Sequence, residues 1–449
     1  MIKYETNSKL VQPGQIFVAI KGHTVDGHDF IPEAIKRGAI KAIVDHQTND
    51  DIEELIVPDT KAYLNEQIVK EYAKEFKDIK FIGVTGTNGK TTTCYLVYQL
   101  LRLFGKNVAY LGTIGFYHGD YYQELDNTTP DILTLYKMLF IAKKGGVKYI
   151  VMEVSSHSLA LDRVAGLAFT IGGFTNLTQD HLDFHETMEN YLQAKLKMIG
   201  YLNGHGKMIL NADDKASKAF LKLAPAKTVG LKGSYQINKY TFSTDTTTIK
   251  FTYRKKEYVV TTNLTSHFNV YNYLMALAIM QTLGFKIEDI IYHTKDIYPP
   301  KGRCETIKVK EGLAVVDFAH TPDAVEKVID AYNENKPARL ITLVGCGGDR
   351  DPKKRPIMGR IATDKSDYVI FTSDNPRTED PEAILADIIK DNHATNYETI
   401  VDRRAAIKRG IDLLEPGDIL LLLGKGHENY QIIGHEKHHF DDAEEVKNY

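Results

Sequence analysis

The stretch FIGVTGTNGKTTT, residues 81–93, decides how the rest of the chain is read. The apolar run Phe81–Thr85 reads as a buried strand, and it delivers a short glycine loop. An amphipathic helix follows from about Lys90. Gly86 and Gly89 let the backbone approach phosphate oxygens closely, and the helix N-terminus favours negative charge. Lys90 has the reach to meet β- and γ-phosphates, and the Thr91 hydroxyl suits a Mg²⁺ shell. The spacing departs from the usual GxxxxGK because Val84 stands at the first glycine position. The residues alone also allow an ordinary Gly-Asn turn before a helix.

Outward from this loop, short apolar runs alternate with amphipathic stretches, the pattern of an α/β protein built on parallel sheets. Expected strands are 15–20, 42–45, 80–85, 149–153, 171–175, 207–211, 313–317, 340–345, 368–372 and 419–424. Several end in loops rich in Gly, Asp, Asn, His or Arg, where open parallel sheets bind ligands. A chain of 449 residues exceeds one growing core. Breaks near Asp78 and at Pro299–Gly302 predict three domains, residues 1–78, 79–300 and 301–449.

The bulk numbers exclude several classes. With 56 basic and 59 acidic residues, net charge −3, the chain lacks the basic surface of a general nucleic-acid binder. Cys94, Cys304 and Cys346 are too scattered for a disulfide framework and fit a reducing compartment. The N-terminus has no apolar signal core and no run reaches membrane-helix length. A cytoplasmic monomer is the expectation.

Two further strand ends carry chemistry. Glu153, in KYIVMEVSSHSL, offers a carboxylate to Mg²⁺ or simply ends its strand as a satisfied polar group. His181, in FTNLTQDHLDFH, is a candidate metal ligand or a structural histidine. Lys195, in YLQAKLKM, reads by itself as a solvated helix residue.

Taken together and in order, GTNGKTTT, NTTPD, MEVSSH, TNLTQDHLDFH, NADD, HFNVYN, KGRCE, DFAHTPDA, GCGGDRDPKKRP, DNPR and GKGHE resemble the Mur ligase family over nearly the whole chain. That resemblance implies an N-terminal UDP-binding domain, a central P-loop-type ATPase-like domain on a mostly parallel sheet, and a C-terminal Rossmann-like domain. It implies transfer of the ATP γ-phosphoryl group to a carboxylate of a UDP-linked peptide. An amine then attacks the acyl-phosphate and phosphate departs, so positioning and charge neutralisation carry the catalysis.

The carried-over sites are these. ATP is expected at Gly86, Thr87, Asn88, Gly89, Lys90, Thr91 and Thr92, with Asn269 and Asn272 and with Arg303, Asp317 and His320 from the third domain. Read plainly, the asparagines are a polar helix flank, Arg303 belongs to a linker ion pair, and Asp317 and His320 cap a strand end. Lys90, Glu153, His181 and Lys195 form the catalytic set. Mg²⁺ falls to Thr91, Glu153, His181 and Lys195, the last as a CO₂-derived carbamate. UDP-MurNAc-L-Ala-D-Glu is assigned to Ser8, His23, Thr24, Val25, Asn127, Thr128, Thr129, Ser155 and Arg163. Leu161, where some members have glutamine, is left out. Asn7-Ser8-Lys9 replaces a common Asp-Ser-Arg, exchanging an arginine fork for a lysine point charge. The family usually has a further segment before this motif, so a shortened first domain is expected; Ser8 by itself also suits a turn.

Asp374-Asn375-Pro376-Arg377 resembles the motif of members that select meso-diaminopimelate, whose second carboxylate suits a bidentate guanidinium. Arg350, Gly424 and Glu428 match its other partners, with Glu428 set to accept from the ammonium group. A turn carrying a solvated arginine is the plain alternative. A paralogue with another amino acid or acceptor, and an ATP-binding regulator without catalysis, are the competing functional readings.

Overall fold

The computed structural model describes residues 2–22, 25–243, 245–310, 312–334 and 338–449. The chain divides into two compact units, residues 1–90, 105–208 and 218–226, and residues 91–104, 209–217 and 227–449.

The chain begins with a four-stranded parallel sheet, Tyr4–Glu5, Ile16–Val18, Lys41–Val44 and Glu53–Ile56, in sequence order. Its core comprises Val11, Phe17, Ala19, Ile31, Ala34, Ala42 and Val44. The charged helix after it, Thr60–Tyr72, starts where the Asp59 side chain accepts from the Ala62 N–H at 2.9 Å, satisfying one orphan donor.

The middle of the chain builds an eleven-stranded sheet. Its parallel centre is Phe169–Phe174, Lys80–Thr85, Tyr149–Glu153 and Val108–Gly112, side by side in that order. These strands are buried along most of their length, as expected where both faces are covered. Antiparallel strands extend each margin: Gly115–His118 and Tyr121–Gln123 on one side, and Tyr235–Phe242, Thr247–Tyr253 and Lys256–Thr262 on the other. The sequence reading missed the latter meander. Its turn is made by Arg254 and Lys255 at φ 49° and 66°, left-handed conformations that residues other than glycine rarely advertise. Packing compensates, with Tyr235 and Tyr253 paired across strands and stacked at 4.1 Å.

The last sheet has parallel strands Gly312–Asp317, Ile419–Leu423, Leu340–Val344, Tyr368–Phe371 and Tyr397–Thr399, edged by antiparallel Glu305–Val309. Apolar clusters cover both faces, one including Val325, Ile329 and Met358, the other Ile407, Ile411 and Val446. The Pro299–Gly302 stretch is no loose tether. A Cβ on Gly302 would lie 2.0 Å from the Gly426 carbonyl carbon, and Tyr298 exchanges two hydrogen bonds with Gln99. No helix among the described residues is long and apolar enough to cross a membrane.

Candidate active site

The glycine loop is held by its neighbouring strand end. The Thr175 hydroxyl donates to the Asn88 carbonyl at 2.6 Å, the Asn176 side-chain oxygen accepts from the Asn88 N–H at 2.9 Å, and the Thr87 N–H donates to the Asn176 carbonyl. Gly86 sits at φ 148°, and a Cβ there would lie 1.8 Å from Thr175 Oγ1, so glycine is required for space and backbone alike. Val84 belongs to the strand, paired with Glu153 and Gly173, which leaves a tight Gly86–Gly89 loop before the helix Lys90–Leu103. Lys90 curls over this loop, donating to the Gly86 and Thr87 carbonyls at 3.0 and 2.7 Å. Thr91 and Thr92 are buried in the first helical turn.

Glu153 is fully buried at the end of its strand. Its carboxylate accepts from the Tyr110 hydroxyl at 2.6 Å, the Thr113 N–H at 2.8 Å and the Thr113 hydroxyl at 3.2 Å. Thr128 meets that Thr113 hydroxyl at 3.0 Å. The Thr129 hydroxyl donates to the Glu153 carbonyl and accepts from the Ser155 N–H, while Arg163 donates to the Thr129 carbonyl at 2.9 Å. Thr128, Thr129, Ser155 and Arg163 thus gather on the Glu153 strand end. Asn127 is exposed beside them, and Ser155 caps the helix Ser156–Ala160.

His181 stands in a left-handed conformation, φ 52°, with its ring edge-on to His157 at 4.8 Å and its Nε2 3.5 Å from Asp180. Behind it, His185 is buried and hydrogen-bonded to the Ser156 hydroxyl at 2.9 Å. Burial, aided by the nearby His157, Lys195 and His181 charges, pushes the His185 pKa down to about 4.

Lys195 overturns its plain reading as a solvated helix residue: only 1% of its surface is exposed. The helix Met188–Leu196 turns that face inward, placing the ammonium 4.2 Å above the Tyr191 ring. The Tyr191 hydroxyl is 3.2 Å from that of Thr87 in the glycine loop. Burial drives the Lys195 pKa well below the ordinary lysine value, with Lys90 adding to the fall and Asp180 opposing it. That shift favours the uncharged amine relative to an ordinary lysine.

Asn269 and Asn272 are buried too, not a polar flank. Asn272 Nδ2 donates to Asn269 Oδ1 at 2.9 Å, Asn269 Nδ2 to the Thr265 carbonyl at 2.8 Å, and the Thr93 hydroxyl to Asn272 Oδ1 at 3.4 Å. Arg303 lies over the Phe318 ring at 4.8 Å, with its Nε buried and without a hydrogen-bond partner among the described residues, and its charge acts on Asp317. His320 and His427 flank the same ring at 4.5 and 4.9 Å. Burial, then the charges of Arg303, Lys301 and His320, push His427 down to about 3. Asp317 accepts from the Cys304 and Ala319 N–H groups at 2.8 Å each; burial nevertheless raises its pKa.

The DNPR motif is tied down by neighbouring backbone. Arg377 is half-buried in a left-handed conformation, φ 51°, and is not a free surface arginine. Its backbone bonds to Ile432 and Gly434 in the hairpin Tyr430–Ile433/Glu436–His439, and its Nη1 donates to the Gly348 carbonyl at 2.7 Å. A side chain on Gly348 would strike the Pro376 oxygen, and Asp374 lies against Gly424. Asn375 donates to Glu428 at 2.9 Å. Arg350 is exposed, bonded to the Asp349 carbonyl.

At the other end of the chain, the buried Ser8 hydroxyl donates to Glu33 at 2.7 Å, Asn7 accepts from the Lys9 N–H, and Lys9 faces solvent. Val25 is exposed. His23 and Thr24 lie outside the described residues.

Three family models match in succession: the Mur ligase family catalytic domain at residues 4–81, the Mur ligase middle domain at 84–280 and the Mur ligase glutamate ligase domain at 302–426. The chain belongs to the Mur ligase family. A UDP-N-acetylmuramoyl-L-alanyl-D-glutamate–2,6-diaminopimelate ligase of Bacillus cereus is 40% identical over 99% of this chain and 92% of its own length. The enzyme of that name from Rickettsia rickettsii is 41% identical over 98% and 94%. A solved structure of a ligase so named superposes with TM-score 0.71 at 33% identity, covering 99% of this chain and 93% of its own.

Two groups of this Mur ligase escaped the sequence reading. Lys425, inside GKGHE, is fully buried, with Nζ 3.1 Å from Asn375 Oδ1, 3.4 Å from Glu428 and 3.7 Å from Asp374. It fixes the Asn375 amide so that Nδ2 faces Glu428. Its position between two glycines, next to the carried-over Gly424 and three residues before the carried-over Glu428, was the available signal. Tyr110, on the strand Val108–Gly112 that the sequence reading did not predict, and Thr113, in the turn just after it, hold Glu153.

Proposed function

We propose that this Mur ligase joins meso-diaminopimelate to the D-Glu side-chain carboxylate of UDP-MurNAc-L-Ala-D-Glu, converting ATP to ADP and phosphate, as a monomer in the cytoplasm. The observation that carries the proposal is the arginine of the DNPR motif, held by Ile432, Gly434 and Gly348, in a motif whose Asn375 donates to Glu428. The names of the relatives, each over 90% covered, support the same reading.

Residues 79–300 take the nucleotide in this reading. The Gly86–Gly89 loop and the helix start at Lys90 bind phosphate through backbone N–H groups and the Lys90 ammonium, which exchanges its carbonyl partners for phosphate oxygens. Asn269 and Asn272 serve the nucleotide, joined by Arg303, whose buried Nε lacks a partner, and by Asp317 and His320. Residues 1–78 take the UDP moiety with Ser8 and the 23–25 stretch, and Asn127, Thr128, Thr129, Ser155 and Arg163 meet the peptide portion. Within residues 301–449, Arg350, Asn375 and Arg377 recognise the distal carboxylate of diaminopimelate, and Glu428 accepts from its ammonium.

Mg²⁺ fits the donor set. Thr91, Glu153, His181 and a carbamylated Lys195 are mainly hard oxygen donors, and the ion would neutralise phosphate charge. Lys195 is suited to the modification because burial pushes its pKa down, which favours the nucleophilic amine form. The Nζ lone pair forms a bond to the carbon of CO₂, and a proton leaves to solvent. The product is an anion in place of the amine. A ¹³C NMR carbamate signal under labelled CO₂, absent in Lys195→Arg, checks this step.

The proposal is tested by ADP release with Mg-ATP and UDP-MurNAc-L-Ala-D-Glu, comparing meso-diaminopimelate, L-lysine and no amino acid. Release with diaminopimelate alone, with the tripeptide mass, is expected. Equal release with lysine overturns the specificity, and ATP binding without amino-acid-dependent release overturns the ligase reading. Light scattering checks the monomer.

A further inference from the structure

Two histidines and two aspartates that the proposed reaction does not use converge in the N-terminal sheet region. His28 is buried in the short turn Gly27–Phe30. Its Nδ1 lies 2.6 Å from Asp26 Oδ1. A carboxylate only accepts, so the proton on this contact sits at Nδ1 and the neutral ring carries its lone pair at Nε2. Consistent with that tautomer, the Asp45 backbone N–H points at Nε2 from 3.3 Å.

The same Nε2 also faces Asp45 Oδ1 at 3.3 Å, just past the strand Lys41–Val44. His46 Nδ1 approaches that oxygen at 2.5 Å, and the two imidazole rings are 4.5 Å apart. One ligand atom each from His28, Asp45 and His46 all fall within 4.8 Å of one another. At 3.3 Å the Asp45 N–H is a long, weak donor to the Nε2 lone pair, and the facing carboxylate oxygen leaves a place for a cation between them. A proton or a divalent metal can be that cation.

We propose that His28 Nε2, the Asp45 carboxylate and His46 form a binding site for a divalent transition-metal ion, zinc above all, oriented by Asp26 behind His28. The arrangement of a carboxylate on the far nitrogen of a ligating histidine is how metal-bound imidazoles are usually fixed. Two imidazoles and one carboxylate suit zinc, at bond lengths of about 2.0–2.2 Å, and leave a coordination position for water or an anion. Magnesium prefers an all-oxygen shell and competes poorly here. The ion clasps the Gly27–Phe30 turn to the end of the Lys41–Val44 strand, next to Val25.

The test uses the full chain, stripped by a chelator and titrated with Zn²⁺ against a chromophoric competitor under saturating Mg²⁺. One ion per chain at micromolar affinity or tighter is expected, with a rise in Tm. His46→Ala and Asp45→Asn should each weaken it about tenfold or more. The His46 side chain is 62% exposed, so its removal does not threaten the fold. His438→Ala with His439→Ala, removing the exposed histidines near Glu436 and Glu444, should leave the site intact. Cobalt substitution should give a visible ligand-field band that His46→Ala abolishes. Zinc uptake unchanged in both His46→Ala and Asp45→Asn, uptake lost only with His438 and His439, or no uptake at all would each overturn the proposal. The last outcome leaves protons as the cation of the cluster.

Discussion

Replacing Arg377 with alanine isolates the amino-acid end. The guanidinium is pre-positioned: the hairpin pins its backbone through Ile432 and Gly434, and Nη1 is committed to the Gly348 carbonyl. The remaining N–H groups are free of the entropy cost of being found, so most of their interaction with a substrate carboxylate is retained as binding. A charge-assisted hydrogen bond contributes about 1.5–3 kcal/mol. Two of them sum to about 3–6 kcal/mol, or roughly 10²–10⁴-fold at tenfold per 1.4 kcal/mol. Arg377→Ala should therefore lower kcat/KM for meso-diaminopimelate by roughly 10²–10⁴-fold. The KM for ATP should move less than about threefold, because no nucleotide group is assigned to this motif. Arg377→Lys should recover only part, a point charge replacing a fork. Initial rates with each substrate varied in turn, and circular dichroism to confirm folding, provide the assay. An equal loss in diaminopimelate and ATP parameters, or no loss with diaminopimelate, refutes the reasoning.

Gly86→Ala should weaken ATP binding at least tenfold by calorimetry while the far-UV spectrum is kept, because its Cβ would collide with Thr175 Oγ1 and the φ of 148° is strained for alanine. Arg403→Ala should cost about 3–5 kcal/mol of stability, read as a fall in Tm, since it abandons Asp442 inside the fold and frees the Ser373 and Leu423 carbonyls that precede Asp374 and Gly424. His185 titrates near 4 folded against an ordinary value of 6.5, so the unfolded chain binds more protons between those values. Its contribution to stability is complete above about pH 6.5 and is lost as pH falls toward 4, by up to about 1.4 kcal/mol per pH unit. Urea midpoints across that range should show the slope, and His185→Gln should flatten it.

The sequence by itself determined the α/β class and the glycine loop between strand and helix. Phe81–Thr93 reads correctly because its apolar run, its glycines and its Lys-Thr-Thr helix start are local properties: short-range sterics and hydrogen-bond accounting dictate them. Lys80–Thr85 and Tyr149–Glu153 match their expected bounds for the same reason. The tertiary structure decided what depends on neighbours distant in the chain. A lysine is assigned to solvent by its charge, yet Lys195 is buried because its helix face packs inward and Tyr191 supplies a ring beneath it. Burial, not residue type, pushes its pKa down. Asn269 and Asn272 look like a surface flank until Thr93 and Thr265 are found beside them. Arg377 is an Asn-Pro-Arg turn in one dimension; a hairpin more than fifty residues later fixes where its guanidinium points. The same holds for His28, whose cation-seeking nitrogen exists only because Asp26 and Asp45 close on it from opposite sides. Local sequence fixes conformation, whereas charge state and aim belong to whatever the fold packs around a side chain.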